Sequence, residues 1–489
     1  MSSFAVLHIT SLLGGGVDRH VRDITRAAAG EHVAWHVSAR ADVLEVPRRE
    51  EILPIDPQAC EREPAALAAW LRARRIGIIH AHAVSEAARA RTRWAAHELG
   101  VPFVVTVHDV LFLRADGLEP GAPPGPDPRW LAGTSAFLHE AAAVVVPSQY
   151  IGDLVLKHTG IHATVVPNGT SVSSLPPSPQ ARAEFLARRP RHVAAVIGAI
   201  GPHKGSAILD ALSFALAGSD IAVVVVGYLD MQVVPGWRGD HVFVHGAYQD
   251  DEVGPLLAAY GAEIALFPHQ VPESFSYTLS DAWAAGLPVL VPREGALGER
   301  LERHGGGWFL PPGFGASEVA AQLRRLLSAE GAADVAKVRS GIAVPDPGRV
   351  PTLADMTRSL DALYERFGID PSAAPAPDSP QVKALLARNL DGALFRQELV
   401  RLADEIGQVR AALEHERGEA AKFAAEARAW IAKLEADIAG VQSDLAREVE
   451  ERRALGQENV QLGIHKAAFD LLPDVIRRML LKKILNARS

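Results

Sequence analysis

The stretch Phe267–Val291 reads FPHQVPESFSYTLSDAWAAGLPVLV, the pattern of a strand end, a polar loop, a short helix and a second strand. Ser274 and Ser276 belong to the residue types that cap helix N-termini, and Gly286 stands where a C-terminal cap belongs. The apolar run LPVLV at 287–291 predicts a buried strand. A strand, a helix and a strand in this order predict one βαβ unit of a parallel sheet.

The start of the predicted helix is a candidate anion site, because its free N–H groups and the helix dipole favour negative charge. Glu273 precedes this start, and Asp281 comes eight residues after Glu273, about two helical turns on. Carboxylates do not bind phosphate, but they accept hydrogen bonds from hydroxyl groups on either side of it. A nucleotide-sugar has that layout, with sugar hydroxyls, a pyrophosphate and ribose hydroxyls. A plain acidic helix start is the alternative at this point.

Composition sets the class of protein. A chain of 489 residues predicts two or three domains, and its net charge of −8 gives no reason to expect a nucleic-acid partner. Cys60 is the single cysteine, which excludes an internal disulfide and suits a reducing compartment. We see no signal peptide and no apolar run of the roughly 18–20 residues that a spanning helix needs. We therefore expect a cytoplasmic protein.

Strands and helices alternate through the first third of the chain. The run FAVLHIT at 4–10 predicts a strand, Gly14–Gly16 a turn that approaches a ligand closely, and Val17–Ala29 a helix. Such alternation predicts a doubly wound α/β sheet with ligands at the carboxyl ends of its strands. The polar clusters expected there are His80–His82, His108–Asp109 and Asn168–Gly169.

The histidines raise the question of a metal. His80, His82 and His108 are suitable ligand types, but the two histidines of the HxH pair have no third ligand near them in sequence. We therefore expect no metal. A buried structural role is the alternative for His108.

A second α/β unit follows the linker 171–180. Residues 191–198 predict a strand, and the turn 199–205, AIGPHKG, leads into the helix Ser206–Ala217. Lys204 thus lies on a glycine-flanked strand-to-helix turn, where an ammonium group can neutralise a diphosphate. A surface lysine in a turn is the alternative.

Five motifs occur in order: GGG-x-x-x-H, VHD, VPNG, GPHKG and PESFSYTLSDAWAAGLPV. Together they resemble the retaining glycosyltransferases of family 4, in particular the bacterial transferases that build O-antigens and other surface polysaccharides. The resemblance covers roughly 4–367 and implies a GT-B fold, in which two Rossmann-like doubly wound domains face a cleft. We assign 1–178 to the acceptor-side domain, 179–347 to the nucleotide-sugar domain and 348–369 to a helix that returns to the first domain.

The resemblance also implies roles for individual residues. Gly15 and Gly16 would contact donor phosphate, and His108 would lie beside the reacting sugar. Lys204 would bind the diphosphate, while Glu273 and Asp281 would hold sugar and ribose hydroxyls. Further donor contacts are predicted at Asn168, Phe275, Ser276, Tyr277 and Thr278. The donor would be a nucleoside-diphosphate sugar, the acceptor a glycan or a lipid-linked glycan, and no metal or cofactor is expected.

Two departures from the family pattern stand out. Ala199 replaces an arginine before the lysine turn, so one diphosphate cation is either missing or supplied from elsewhere, with Arg19 the candidate. Asp281 replaces a glutamate, which shortens its reach by one methylene. These departures leave open a catalytically degenerate assembly subunit. An epimerase of sugar nucleotides is a further alternative.

After Phe367 the composition changes. Residues 370–380 predict a linker, and 381–462 predict a coiled coil through which the chain would form a homo-oligomer or bind a partner protein. A single solvated helix is the alternative for that segment. The basic amphipathic tail, 463–489, suits either the cytoplasmic face of an inner membrane, through 464–489, or a protein surface.

Overall fold

The computed structural model describes residues 4–11, 15–28, 30–37, 42–49, 51–55, 60, 64–115, 125–170, 181–188, 190–230 and 235–370. The predicted coiled coil 381–462 and tail 463–489 lie outside the described residues, as does all of the linker except Asp370.

The first half contains a sheet of eight described strands in the order β4-β3-β2-β1-β5-β6-β7-β8. The strands are β1 (Ala5–Ser11), β2 (His32–Val37), β3 (Asp42–Val46), β4 (Glu51–Ile55), β5 (Ile76–Ala81), β6 (Phe103–Thr106), β7 (Ala143–Val146) and β8 (Thr164–Val165). The helices are α1 (Gly15–Ala27), α2 (Pro64–Ala73), α3 (Glu86–Leu99), α4 (Pro128–Glu140) and α5 (Gln149–Thr159). Strands β1, β2 and β5–β8 pair in parallel, which brings their carboxyl ends to one edge.

The second half contains a sheet of seven described strands in the order β11-β12-β10-β9-β13-β14-β15. These are β9 (His192–Ile200), β10 (Ile221–Leu229), β11 (Gly236–Arg238), β12 (Val242–Val244), β13 (Ile264–Leu266), β14 (Val289–Val291) and β15 (Gly307–Phe309). The helices are α6 (Ala183–Arg188), α7 (Ser206–Ala215), α8 (Val253–Ala259), α9 (Tyr277–Ala284), α10 (Gly295–His304), α11 (Ala316–Leu326) and α12 (Ala332–Ile342). The prediction of two doubly wound α/β units is confirmed.

Continuous apolar runs explain why the central strands lie in the middle of each sheet. Every residue of β5 is buried, and so are the interior residues of β9 from Val193 to Gly198. Helices cover both faces of a parallel sheet, so its strands need apolar side chains on both sides. The sequence did not predict the antiparallel pairing of β3 with β2 and β4, which extends the first sheet at one side.

The last described helix, α13 (Leu353–Phe367), follows the second half in sequence but packs on the first sheet. Met356, Leu360 and Tyr364 are buried among core residues that include Val6 and Ile78. Burial of a side chain such as Met356 or Leu360 contributes about 1.5–3 kcal/mol. The helix therefore ties the end of the second half to the first.

Candidate active site

Helix α1 of the first half meets the start of helix α9 in the second half. The Arg19 guanidinium lies 3.3 Å from the Asp281 carboxylate and 4.5 Å from the centre of the Tyr277 ring. The Tyr277 hydroxyl lies 3.4 Å from His20 Nδ1. A β-carbon on Gly16 would come within 3.7 Å of the same tyrosine ring. The predicted glycine turn and the predicted donor-binding helix therefore lie against each other.

Gly15 begins helix α1 with φ +77°, a conformation that favours glycine. Gly15 and Gly16 are both exposed, so the start of helix α1 is accessible to a ligand. The helix starts at Gly15 rather than at the predicted Val17, which places both glycines in its first turn. Gly14 lies outside the described residues.

Lys204 and Glu273 form the charged centre of the second half. Lys204 Nζ lies 3.3 Å from Glu273 Oε1, and His269 Nδ1 lies 3.2 Å from the same oxygen. Burial alone would raise the pKa of Glu273, but Lys204 and His269 outweigh it and hold that pKa below its ordinary value. Glu273 is therefore an anion in this arrangement, suited to accepting hydrogen bonds and not to donating a proton.

The backbone fixes where Lys204 lies. Gly205 has φ +86°, and a β-carbon there would come 2.1 Å from the carbonyl oxygen of Pro268. The carbonyl of His203 accepts hydrogen bonds from the amides of Gln270 and Val271. The lysine turn and the loop before Glu273 are thus locked together, so only glycine fits at position 205.

Helix α9 begins at a strained residue. Ser276 has φ +70°, accepts a hydrogen bond from the Leu279 amide at 3.3 Å and lies 3.1 Å from the Thr278 hydroxyl. Arg300 donates to the carbonyls of Phe275 and Ser276 from beneath this turn. Burial lowers the pKa of Arg300 to about 9. A non-glycine residue with positive φ costs of the order of 1–3 kcal/mol and is typical of functional turns.

Phe275 supports this turn. Its side chain is buried, with the Arg300 guanidinium 4.2 Å from the ring centre. The predicted donor contact of Phe275 would therefore have to come from its backbone.

Asp281 and Arg19 are coupled. Burial raises the pKa of Asp281, and Arg19 opposes that shift. Burial would lower the pKa of Arg19, but Asp281 and Asp250 outweigh it and raise that pKa. The cation that we expected to serve the diphosphate is thus paired with the predicted ribose acceptor. Ala199, the residue in place of the family arginine, is exposed.

The predicted catalytic His108 follows β6, where the strand ends at the cleft edge. It is buried, and burial holds its pKa well below the ordinary histidine value. Next to it, Asp109 accepts a hydrogen bond from the Leu111 amide at 2.8 Å. Burial raises the pKa of Asp109 to about 6, and the charge of Glu273 adds to the shift. The charge of Glu273 thus acts on the carboxyl group next to His108.

Buried histidines surround His108, which corrects one step of the sequence reasoning. The sequence showed no third histidine near the HxH pair, but the fold brings one close in two places. Nitrogens of His8, His80 and His82 lie within 4.8 Å of one another, and so do nitrogens of His20, His82 and His108. In the first trio both nitrogens of His80 are hydrogen-bonded elsewhere. In the second, His82 Nδ1 lies 3.0 Å from His108 Nε2, which is hydrogen-bond distance. These contacts join the buried rings in a hydrogen-bonded network, and the absence of a metal stays a prediction.

Asn168 follows β8 at the carboxyl edge of the first sheet and is buried. Its side chain is a hydrogen-bond partner of the buried His20 ring, which opposes the lowering of the His20 pKa by burial. The donor contact of Asn168 stays a prediction.

Sequence reasoning missed several residues at this site. His269 beside Glu273 and Arg300 beneath Ser276 gave no signal, because each acts through a contact made only in the fold. His20 was part of a quoted motif without a role of its own. Its position one turn after Gly16 was the available signal, since that spacing places it on the glycine side of α1.

The sequence models of two protein families match the chain, one after the other. "Glycosyltransferase Family 4" matches residues 14–174, and "Glycosyl transferases group 1" matches residues 191–329. The two matches coincide with the two α/β halves. No described helix is long and apolar enough to cross a membrane.

One relative is similar over part of the chain. The phosphatidyl-myo-inositol mannosyltransferase of Mycobacterium leprae is 32% identical over 177 residues, which cover 34% of this chain and 45% of the mannosyltransferase. The match thus spans less than half of that enzyme.

Solved structures share the fold. The structure of Anabaena HepE in complex with UDP and glucose matches with a TM-score of 0.54 and 15% identity, over 74% of this chain and 100% of HepE. Sucrose-phosphate synthase from Thermosynechococcus elongatus matches with a TM-score of 0.55 and 18% identity, over 74% of this chain and 98% of the synthase. At these identities the likeness shows the fold alone.

Proposed function

We propose that this chain, whose two halves are glycosyltransferase domains in a GT-B fold, transfers a sugar from a nucleoside diphosphate to an acceptor hydroxyl. One observation carries the proposal: Lys204 lies 3.3 Å from Glu273 in the loop that leads into helix α9, and the Tyr277 ring at the start of that helix lies against the glycine turn. These groups match the diphosphate and the hydroxyls of a nucleotide-sugar.

The reaction breaks the bond between the anomeric carbon and the phosphate oxygen. The diphosphate leaves with the bonding electrons, and Lys204 together with the amides that begin α9 stabilises the charge it gains. Glu273 accepts hydrogen bonds from the sugar hydroxyls and holds the ring in place. The low pKa of Glu273 supports this positioning role over that of a glycosidase-type acid.

We propose that the anomeric configuration is retained. The acceptor hydroxyl attacks the face from which the diphosphate departs, and a departing phosphate oxygen takes its proton. This route needs no protein nucleophile. It requires that His108 and Glu273 border the same sugar, and the electrostatic effect of Glu273 on neighbouring Asp109 supports that placement.

We propose that transfer needs no metal. Lys204 and Arg19 supply positive charge at the cleft, in place of the cation that other transferases use. Turnover is therefore expected to be unchanged in excess EDTA. Its loss, with recovery on adding Mg²⁺ or Mn²⁺, would contradict this part of the proposal.

The acceptor is proposed to be a glycan or a lipid-linked glycan of surface polysaccharide synthesis. The name of the mycobacterial relative, a phosphatidyl-myo-inositol mannosyltransferase, supports testing glycolipids. The cytoplasmic location and the roles of the coiled coil and tail remain predictions.

The experiment is a panel of nucleotide-sugars incubated with the purified full chain, with and without glycan and lipid-linked acceptors. We expect nucleotide release that an acceptor stimulates, and a product whose anomeric configuration by NMR equals that of the donor. Interconversion of the donor sugar would show an epimerase instead. If neither sugar transfer nor epimerisation is seen with any donor, the result favours an assembly subunit without catalytic activity. Lys204→Ala and Glu273→Ala are expected to abolish turnover while the protein stays folded.

A further inference from the structure

Four buried histidines form a continuous chain of hydrogen bonds that ends at His108. His32 Nδ1 lies 2.7 Å from His8 Nε2, and His8 Nδ1 lies 2.9 Å from His82 Nε2. His82 Nδ1 lies 3.0 Å from His108 Nε2. The chain runs from β2 through β1 to the ends of β5 and β6, so it crosses the sheet toward the cleft.

Burial favours the neutral form of all four rings. Burial holds the pKa of His8, His82 and His108 well below the ordinary value and lowers that of His32 to about 4. A neutral imidazole has one N–H donor and one lone-pair acceptor. Each ring inside the chain must therefore donate to one neighbour and accept from the other.

This rule leaves two arrangements for the whole chain. In one, every ring carries its proton on Nδ1, and His108 presents an Nδ1–H group. In the other, every ring carries its proton on Nε2, and His108 presents a bare Nδ1. The tautomer of His108 is thus coupled to the tautomers of the three other rings.

A cation at the far end favours the first arrangement. Arg48 donates a hydrogen bond to the carbonyl of Ala28, four residues before His32, and its charge acts on the His32 ring at the end of the chain opposite His108. When every ring carries Nδ1–H, the dipoles of the chain point their negative end toward His32 and their positive end toward His108. A nearby cation stabilises that direction, and hydrogen bonds in a chain strengthen one another.

We propose that His82, His8 and His32 are positioning residues that hold His108 as its Nδ1–H tautomer, so that His108 donates a hydrogen bond to an oxygen of the reacting sugar. This role rests on the proposed function. An N–H group at this place donates to a sugar hydroxyl oxygen and helps to hold the ring in position while the diphosphate takes the bonding electrons, whereas a bare Nδ1 could only accept from that hydroxyl.

His80 provides a matched control. It is buried beside His82, with ring centres 3.9 Å apart, but it lies outside the chain. Its nitrogens bond to the Tyr364 hydroxyl and the Thr106 hydroxyl, each at 2.6 Å. Replacing it removes a ring of the same size from the same cluster without cutting the path to His108.

The first experiment is ¹⁵N NMR of the wild-type full chain with labelled histidine at pH 7.5, with resonances assigned by single substitutions. We expect His8, His32, His82 and His108 all to carry the proton on Nδ1. A proton on Nε2 of His108, or protons on both nitrogens of any of the four, would overturn the proposal. This readout needs no substrate, so it is independent of whether the chain transfers sugar.

The second experiment compares His8→Phe with His80→Phe. We expect His108 to be a mixture of tautomers in His8→Phe. We also expect kcat to fall about tenfold, because one net hydrogen bond to the sugar is lost, while KM for the nucleotide-sugar is unchanged. We expect His80→Phe to keep the Nδ1–H signal of His108. Retention of a pure Nδ1–H signal in folded His8→Phe would contradict the proposal. If His8→Phe does not fold, the wild-type spectrum still decides.

Discussion

The Arg19 guanidinium of the first half lies 3.3 Å from the Asp281 carboxylate of the second half. The pair joins the predicted diphosphate cation to the predicted ribose acceptor, and the Tyr277 ring packs under the guanidinium. Each group therefore neutralises the other in this arrangement. A bound donor would have to share or exchange this contact.

Replacing Arg19 with glutamine separates the two roles. We expect Arg19→Gln to weaken the binding of a nucleoside diphosphate about tenfold, because a charge-assisted contact to phosphate is lost. Binding of the matching nucleoside, which has no phosphate, is expected to stay the same or improve because Asp281 is released. Titration calorimetry with both ligands measures the difference.

Arg22→Gln is the control, since Arg22 lies on the same helix and pairs with Asp250 at 2.7 Å in a more exposed position. We expect it to leave both affinities unchanged. If Arg19→Gln weakens the binding of the nucleoside and of the nucleoside diphosphate equally, Arg19 contacts the base or the ribose and not the phosphates.

Glu273→Gln should separate sugar binding from phosphate binding. The change keeps the size of the side chain but removes the negative charge that Lys204 faces at 3.3 Å. We expect turnover to fall by about 100-fold or more, because the sugar loses its positioning anion. Binding of a nucleoside diphosphate without sugar should be retained or tightened, because the ammonium group is freed.

Glu302→Gln is the control, because it removes an exposed glutamate that pairs with Arg293. It should change neither turnover nor the binding of a nucleoside diphosphate. Wild-type turnover in Glu273→Gln would show that this carboxylate does not hold the sugar.

Asp109 is expected to make stability depend on pH. Its pKa is raised to about 6 in the folded protein, above the unfolded value near 3.9. The folded state therefore binds the proton more tightly, and its stability falls as pH rises from about 4 to about 6. Asp109→Asn keeps an oxygen for the Leu111 amide but cannot ionise. We expect the variant to be more stable than wild type at pH 7 by of the order of 2 kcal/mol, with no such gain at pH 4.

Denaturant unfolding at the two pH values measures this difference. A stability gain of the same size at both pH values would mean that the substitution acts through packing and not through the charge of Asp109.

Local sequence patterns predicted the parts of the site that depend on neighbouring residues. Ser276 was predictable as a helix cap, because capping needs only a serine three residues before a free amide. Lys204 was predictable because a strand, a glycine turn and a helix place a side chain at the carboxyl edge of a sheet. The motif order then grouped these local features into one family resemblance.

Contacts between distant residues could not be predicted in the same way. The pairing of Arg19 with Asp281 joins positions 262 residues apart, and the histidine chain joins β1, β2 and the ends of β5 and β6. No periodicity encodes these contacts, because they depend on strand order and on how the two halves meet. For the same reason the distance between His80, His82 and a third histidine could not be read from their spacing.

The central claim is that Lys204 helps to bind a diphosphate at this cleft, and calorimetric titration of nucleoside diphosphates into the full chain tests it most directly. We expect at least one of the nucleoside diphosphates to bind saturably. Lys204→Ala should weaken that binding by about 10- to 100-fold, which corresponds to the free energy of a hydrogen bond to a charged group. The exposed Lys157→Ala variant should bind as wild type does. Equal affinity in wild type and Lys204→Ala, or no binding of any nucleoside diphosphate, would contradict the account.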